Sequence, residues 1–198
     1  MIGGKEMVQL ISVADIQGGI PLARIPKSTD QSAISYKVFS QSDIEECLTG
    51  FPSGNNQPTQ IITQAVVLQP LEGDVIFNLI TGMAAVIDEV DRPAMLTQNF
   101  VRIRLSDKVD AAFLVYLLNR SKKIKNTLLG GLQGSTILKF SVKQLKELEL
   151  PDLPDIDVQR HIGSVYLKQL RREALKKRVA DLETLLIMNK LEEVLQHE

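Results

Sequence analysis

From Ile156 to about Gln196 the sequence contains no proline and one glycine, Gly163. Such a run predicts a single helix of about 40 residues, about 60 Å long at 1.5 Å per residue. That exceeds the length of an ordinary globular helix, so the rod projects beyond whatever precedes it. Pro151 and Pro154 break the chain just ahead of it. Asp155 can cap the new helix, and Asp157 falls in its first turn, where a carboxylate favours the helix dipole. Leu175, Val179, Leu182, Leu186 and Asn189 follow a 4-3-4-3 spacing, the pattern of a coiled-coil seam. Leu167, Leu170 and Ala174 form a second stripe nearer the preceding residues. Each apolar seam residue gains about 1.5–3 kcal/mol when fully covered. Leu175, Val179, Leu182 and Leu186 are therefore candidate dimerisation residues.

The remainder divides the chain into a globular unit, residues 1–154, and the helical unit, residues 155–198. The first hundred residues read as β. Strands are expected at Val8–Val13, ending at Asp15 and the Gly18-Gly19 pair, and at Tyr36–Phe39, Ile61–Leu68, Asp74–Phe77, Met83–Ile87 and Phe100–Leu105. In the last, Val101, Ile103 and Leu105 alternate with Arg102 and Arg104, so one face is apolar and the other cationic. Phe51–Pro58 is a loop by composition. The pattern then turns helical. Asp110 can cap a helix over Ala111–Asn119, whose face is Phe113, Leu114, Leu117 and Leu118. A second short helix carries Lys122, Lys123 and Lys125, and a glycine-rich loop covers Leu128–Thr136. Ser141 and Gln144 match a capping box, and Leu148–Leu150 reads as a closing strand. The fold class is α+β: a β-rich mixed domain followed by one long helix.

Composition excludes several classes. One cysteine, Cys47, and two histidines, His161 and His197, provide neither a disulfide framework nor a Cys/His metal cluster. No stretch approaches the roughly 20 apolar residues of a membrane span, and the first residues do not read as a signal peptide. A reducing, cytoplasmic setting fits. Aromatic residues are 5% and tryptophan is absent, which disfavours single-strand binders that stack bases. No P-loop, Asp-Pro-Pro-Tyr or Asn-Pro-Pro-Tyr element occurs, and Gly130–Gly134 does not open a helix after a strand as a dinucleotide fingerprint must. No catalytic centre, cofactor or metal site is expected. Charge is segregated. Residues 1–100 hold 5 basic and 11 acidic residues, whereas residues 101–146 hold 10 basic and 2 acidic. A basic block of this kind can be a footprint for phosphates.

Several segments, in order, resemble the specificity (S) subunit of type I restriction–modification enzymes. They are Val13–Gly19, Leu71–Phe77, Leu96–Arg104 and Val109–Asn119, then Gly134–Thr136 with the Leu150-Pro151 exit, and finally Pro154–Ile162. The resemblance runs from about Gln9 to Gln196 and matches a half-length form, with one target-recognition domain and one spacer helix. It implies recognition of double-stranded DNA, one half-site per recognition domain. It also implies methyltransferase (M) subunits, and possibly restriction (R) subunits, as partners supplying the chemistry. Two spacer helices side by side and antiparallel are the expected frame, which one chain rebuilds as a homodimer. The chain departs from the family at Asn78–Gly82, where a polar loop often carries an arginine and this one has none.

Candidate DNA contacts follow from chemistry. Asn78, Gln98 and Asn99 carry amides able to pair with adenine edges. Thr81, Ser135 and Thr136 can donate to phosphates or bases, and Gly134 permits close backbone approach. Lys27, Lys37 and Lys139 can neutralise phosphates, and Arg102, Lys122, Lys125 and Lys139 should share a face if DNA binds. The alternative reading is an S-like scaffold or decoy that binds methyltransferase subunits without reading DNA.

Overall fold

The computed structural model describes residues 8–52, 57–89, 92–130 and 139–196. The elements run β1 (Val8–Gln9), β2 (Ala14–Gly18), β3 (Ile34–Val38), α1 (Gln41–Thr49), β4 (Gln60–Thr63), β5 (Val75–Asn78), β6 (Ala84–Val86) and β7 (Ala94–Met95). After these come β8 (Phe100–Leu105), α2 (Ala111–Arg120), α3 (Lys122–Gly130), α4 (Val142–Lys146), β9 (Glu149–Leu150) and α5 (Ile156–Gln196). The class is α+β with a long C-terminal helix, as expected.

The main sheet is antiparallel, in the order β2-β8-β5-β6. Strand β8 alternates as its sequence dictates: Val101 and Ile103 are fully buried, while Arg102 and Arg104 leave on the other face. There both meet Asp74, which is 2% exposed and also accepts from the Leu71 N–H at 2.9 Å. Gly73 closes that turn at φ 81°, a left-handed value that disfavours any side chain. At the open edge of the sheet, the Asn119 amide on α2 takes the place of a further strand. Its Nδ2 donates to Ala84 O and its Oδ1 accepts from Ala84 N–H, both at 2.8 Å.

Helix α2 lies between this sheet and the first turns of α5, giving three layers. Asp110 caps it, accepting from Phe113 N–H at 2.9 Å. Leu114, Val115 and Leu118 are buried, so α2 is apolar nearly all round, as a central layer must be. A smaller sheet, in the order β4-β3-β7, covers a second core of Ile25, Tyr36, Ile61, Val67 and Met95.

Three expectations change. Val8–Val13 is not a strand: β1 has two residues, a 3-10 turn follows at Leu10–Ser12, and the ladder partner of β8 is the more polar Ala14–Gly18. Only Ile16 of that strand is buried, because β2 is a sheet edge. The strand in Ile61–Leu68 stops at Thr63, whose hydroxyl donates to Pro26 O and accepts from Ala65 N–H, turning the chain. Helix α1 was not anticipated; its capping box joins Ser40 to Asp43, and Gly50 ends it at φ 76°. The capping box at Ser141 and Gln144 forms as its sequence predicts.

Candidate nucleic-acid interface

One edge of the domain gathers residues distant in sequence. The turn after β5 is held by Asn78, whose Oδ1 accepts from Ile80 N–H at 2.8 Å and Thr81 N–H at 3.3 Å. Gly82 completes the turn at φ 69° against the Phe140 ring. The Leu79 N–H donates to Asn99 O, and the Phe140 N–H donates to Leu79 O, both at 2.8 Å. Lys139 then reaches across, donating to Asn99 Oδ1 at 2.9 Å and Gln98 O at 3.1 Å. Asn78, Thr81, Gln98, Asn99 and Lys139 thus form one cluster built from three segments.

Their availability differs. Gln98 and Thr81 are exposed, and Asn99 and Lys139 are half-buried. Asn78 is 4% exposed, and its Nδ2 donates to Gln41 Oε1 at 2.8 Å, so its amide is used within the turn. Thr81 Oγ1 also donates to Gln41 Oε1, at 3.1 Å. Gln41, at the start of α1, is the member that sequence reasoning missed. The signal was present in the Ser40-x-x-Asp43 box, a helix-start pattern.

The other cationic candidates differ in their surroundings. Lys37 is on β3 and is ion-paired with the buried Asp43. Lys27 is exposed in the loop ahead of β3. Arg102 does not supply a free charge to a basic face, because Asp74, Gln69 O at 3.0 Å and Gln17 Oε1 at 2.8 Å hold it. Lys122 and Lys125 are exposed on α3. Gly134, Ser135 and Thr136 lie outside the described residues. Leu175, Val179, Leu182 and Leu186 are exposed along α5, at 49–55% each.

Nothing among the described residues assembles a metal site. Cys47, the one thiol, is pushed up to about 11 by burial first and then by the Asp88, Asp43 and Glu46 carboxylates, which is the reverse of nucleophile activation. Among the described residues, no helix is long and apolar enough to cross a membrane.

The docking of α5 is well defined. Gln159, 2% exposed, accepts from Asp110 N–H at 3.0 Å and donates to Pro154 O at 2.8 Å and Lys108 O at 3.2 Å. A Cβ on Gly163 would sit 2.6 Å from the Ala112 carbonyl carbon and the Phe113 nitrogen, so the two backbones touch there. Tyr166 packs edge-on against Tyr116 with ring centroids 5.5 Å apart, and Leu167 and Leu170 close the contact. Farther out, Arg171 pairs with Asp88, and Arg178 sits 5.3 Å from the Phe51 ring.

This architecture is similar to known proteins. A chain from a structural study of complex assembly and conformational transition in the type I restriction–modification system matches at a TM-score of 0.59 and 22% identity. The HsdS subunit from Thermoanaerobacter tengcongensis matches at a TM-score of 0.55 and 22% identity. Both matches cover 97% of this chain but 44% of the other, so this chain spans less than half the length of either. No curated protein sequence matched. The family described as type I restriction modification DNA specificity domain matches residues 3–184. The chain belongs to that family, whose members specify DNA for type I systems and are not themselves the catalysts.

Proposed function

We propose that this chain reads one half-site of a duplex DNA target and acts as a homodimer through α5, positioning methyltransferase and possibly restriction subunits. The observation that carries the DNA reading is the convergence of Thr81, Gln98, Asn99 and Lys139 at one edge of a specificity domain. The exposed Gln98 amide and the half-buried Asn99 amide can read base edges, while the lysine beside them meets the backbone. Gly134, Ser135 and Thr136, a few residues ahead of Lys139 in the sequence, are proposed as further contacts on chemical grounds. Asn78 and Gln41 act from below by fixing the turn that presents Thr81. Lys27 and Lys37 are proposed as outlying phosphate contacts, Lys37 at the expense of its pairing with Asp43.

Residues 155–198 form the spacer unit in this reading. Two-fold pairing makes the interface isologous and the two half-sites identical. The test is selection from a random duplex library at low salt with the purified chain. An enriched interrupted palindrome is the expected outcome, and no enrichment overturns sequence reading. Changing Lys139 to Ala should weaken binding across sequences and flatten its salt dependence.

A second reading, a scaffold or decoy that binds methyltransferase subunits without reading DNA, is favoured by the turn at Asn78–Gly82, which has no arginine. Co-purification of methyltransferase subunits without any DNA enrichment would select it.

A further inference from the structure

The distal part of α5 carries an order of charge and apolar residues that specifies how a second copy must lie on it. The face of α5 that meets the body is the stripe of Gly163, Tyr166, Leu167 and Leu170. Leu170 and Val179 are about 180° apart around the helix at 100° per residue, so the seam faces away from the chain's own body. Leu175, Val179, Leu182 and Leu186 have about half their surface in solvent, and no described residue of this chain covers them. The seam is thus free for another helix without disturbing the docking of α5.

Charge divides along the same stretch. Lys168–Arg178 holds six basic residues and one acid, Glu173, whereas Asp181–Glu193 holds four acids and one lysine, Lys190. A parallel copy would lay the basic segment on itself. An antiparallel copy lays each basic segment on an acidic one.

We propose that α5 fixes the register of the antiparallel pair, staggered so that the two-fold axis passes between Ala180 and Asp181; this rests on the dimer reading above. The spacing about that point is its own mirror image. It sets Val179 against Leu182 of the second copy and Leu175 against Leu186, alternating layers of the kind an antiparallel pair packs. Lys168 then faces Glu193 at the ends of the seam. On the flank, Lys176 comes beside Glu183, twice by symmetry, and Lys190 beside the neutral Gln169. Among the described residues Lys176 meets Glu173 in an exposed contact at 3.4 Å, which yields readily to a second partner. No flanking like-charge pair arises at this stagger. Sliding the axis by half a heptad toward the N-terminus, between Val179 and Leu175, brings Lys176 against Lys176 and Arg178 against Arg178 of the second copy, two like-charge flanking pairs. The second copy is therefore favoured in one orientation and one register, with a salt-sensitive contribution added to the apolar one.

Charge-reversal pairs test this. Lys176→Glu and Glu183→Lys are made separately, and sedimentation equilibrium is run at 50 mM and 500 mM salt, with circular dichroism confirming that both fold. Each single variant is expected to self-associate at least about ten-fold more weakly than wild type at 50 mM salt, with a smaller difference at 500 mM. An equimolar mixture of the two is expected to recover wild-type affinity, because each reversed residue then meets a reversed partner. A dimeric wild type whose variants are unchanged, or whose mixture stays weak, overturns the stagger while leaving the dimer intact. A wild type that is monomeric at all concentrations overturns the dimer reading and the stagger together.

Discussion

The two halves of α5 have the same secondary structure and opposite economies of contact. From Ile156 to Leu170 the helix is anchored by a buried glutamine, a backbone-to-backbone approach at Gly163 and a tyrosine pair. Beyond Arg178 every described side chain is exposed, including Leu182, Leu185, Leu186, Ile187, Met188 and Leu191. Isolated helices in water are marginal, and most helix stability in proteins comes from packing one face. The proximal half has that packing within the chain. The distal half has apolar residues for such packing, and the described ones are exposed. Helix formation and helix burial are thus separate properties, and only the second identifies where a partner belongs.

The contrast can be broken by placing similar changes in the two halves. Gly163→Val forces a side chain into the α2 backbone and is expected to destabilise the fold by about 3 kcal/mol, whereas Ala180→Val costs only a few tenths through helix propensity. Thermal melts should separate the two variants by roughly 6–12 °C for a chain of this size. Gln159→Leu keeps the size but strips partners from the Asp110 N–H and the Lys108 and Pro154 carbonyls, for a loss of about 2 kcal/mol in urea titration. Arg178→Ala removes an exposed cation over Phe51 and is expected to cost about 0.5–1 kcal/mol. Leu182→Asp should change the unfolding free energy of the dilute monomer by less than about 0.5 kcal/mol, because the site is exposed. Light scattering at micromolar concentration should nevertheless show its mass fall from dimer to monomer. A large monomer destabilisation by Leu182→Asp would contradict the division between the halves.

Elements specified by local chemistry were legible in the sequence. The Asp110 cap, the Ser141–Gln144 box, the alternation of β8 and the unbroken run of α5 are each complete within a few neighbouring residues. Elements defined by distant partners were not. Strand β2 buries one residue, Ile16, and its order comes from pairing with β8, some ninety residues later. Helix α1 buries Ile44 and Leu48 with the half-buried Cys47, too narrow an apolar stripe to stand out in a segment that otherwise reads as loop. The site divides the same way. Thr81, Gln98, Asn99 and Lys139 were chosen for what their side chains can do, and the fold brings them together. The pairing of Lys37 with Asp43 is not legible in the sequence because it depends on how α1 packs beside β3. Likewise, Arg102 reads as a free cation until Asp74 is placed beneath it.

Gly163 gives the long helix a pivot with almost no play. About 50 Å of helix extends from it to Gln196. Over that arm, an angular slip of about 10° would carry the tip through about 9 Å, or two to three base-pair steps of 3.4 Å along a DNA duplex. A side chain at the pivot would hold the two helices apart and leave room for such a slip; its absence lets the backbones meet and removes the clearance. Glycine is usually associated with freedom of the chain, yet here it provides angular accuracy. In the paired frame proposed above, that accuracy is inherited by the distance between the two half-sites, so a methyl group gained at position 163 would be read out as a change in which spacings the dimer tolerates.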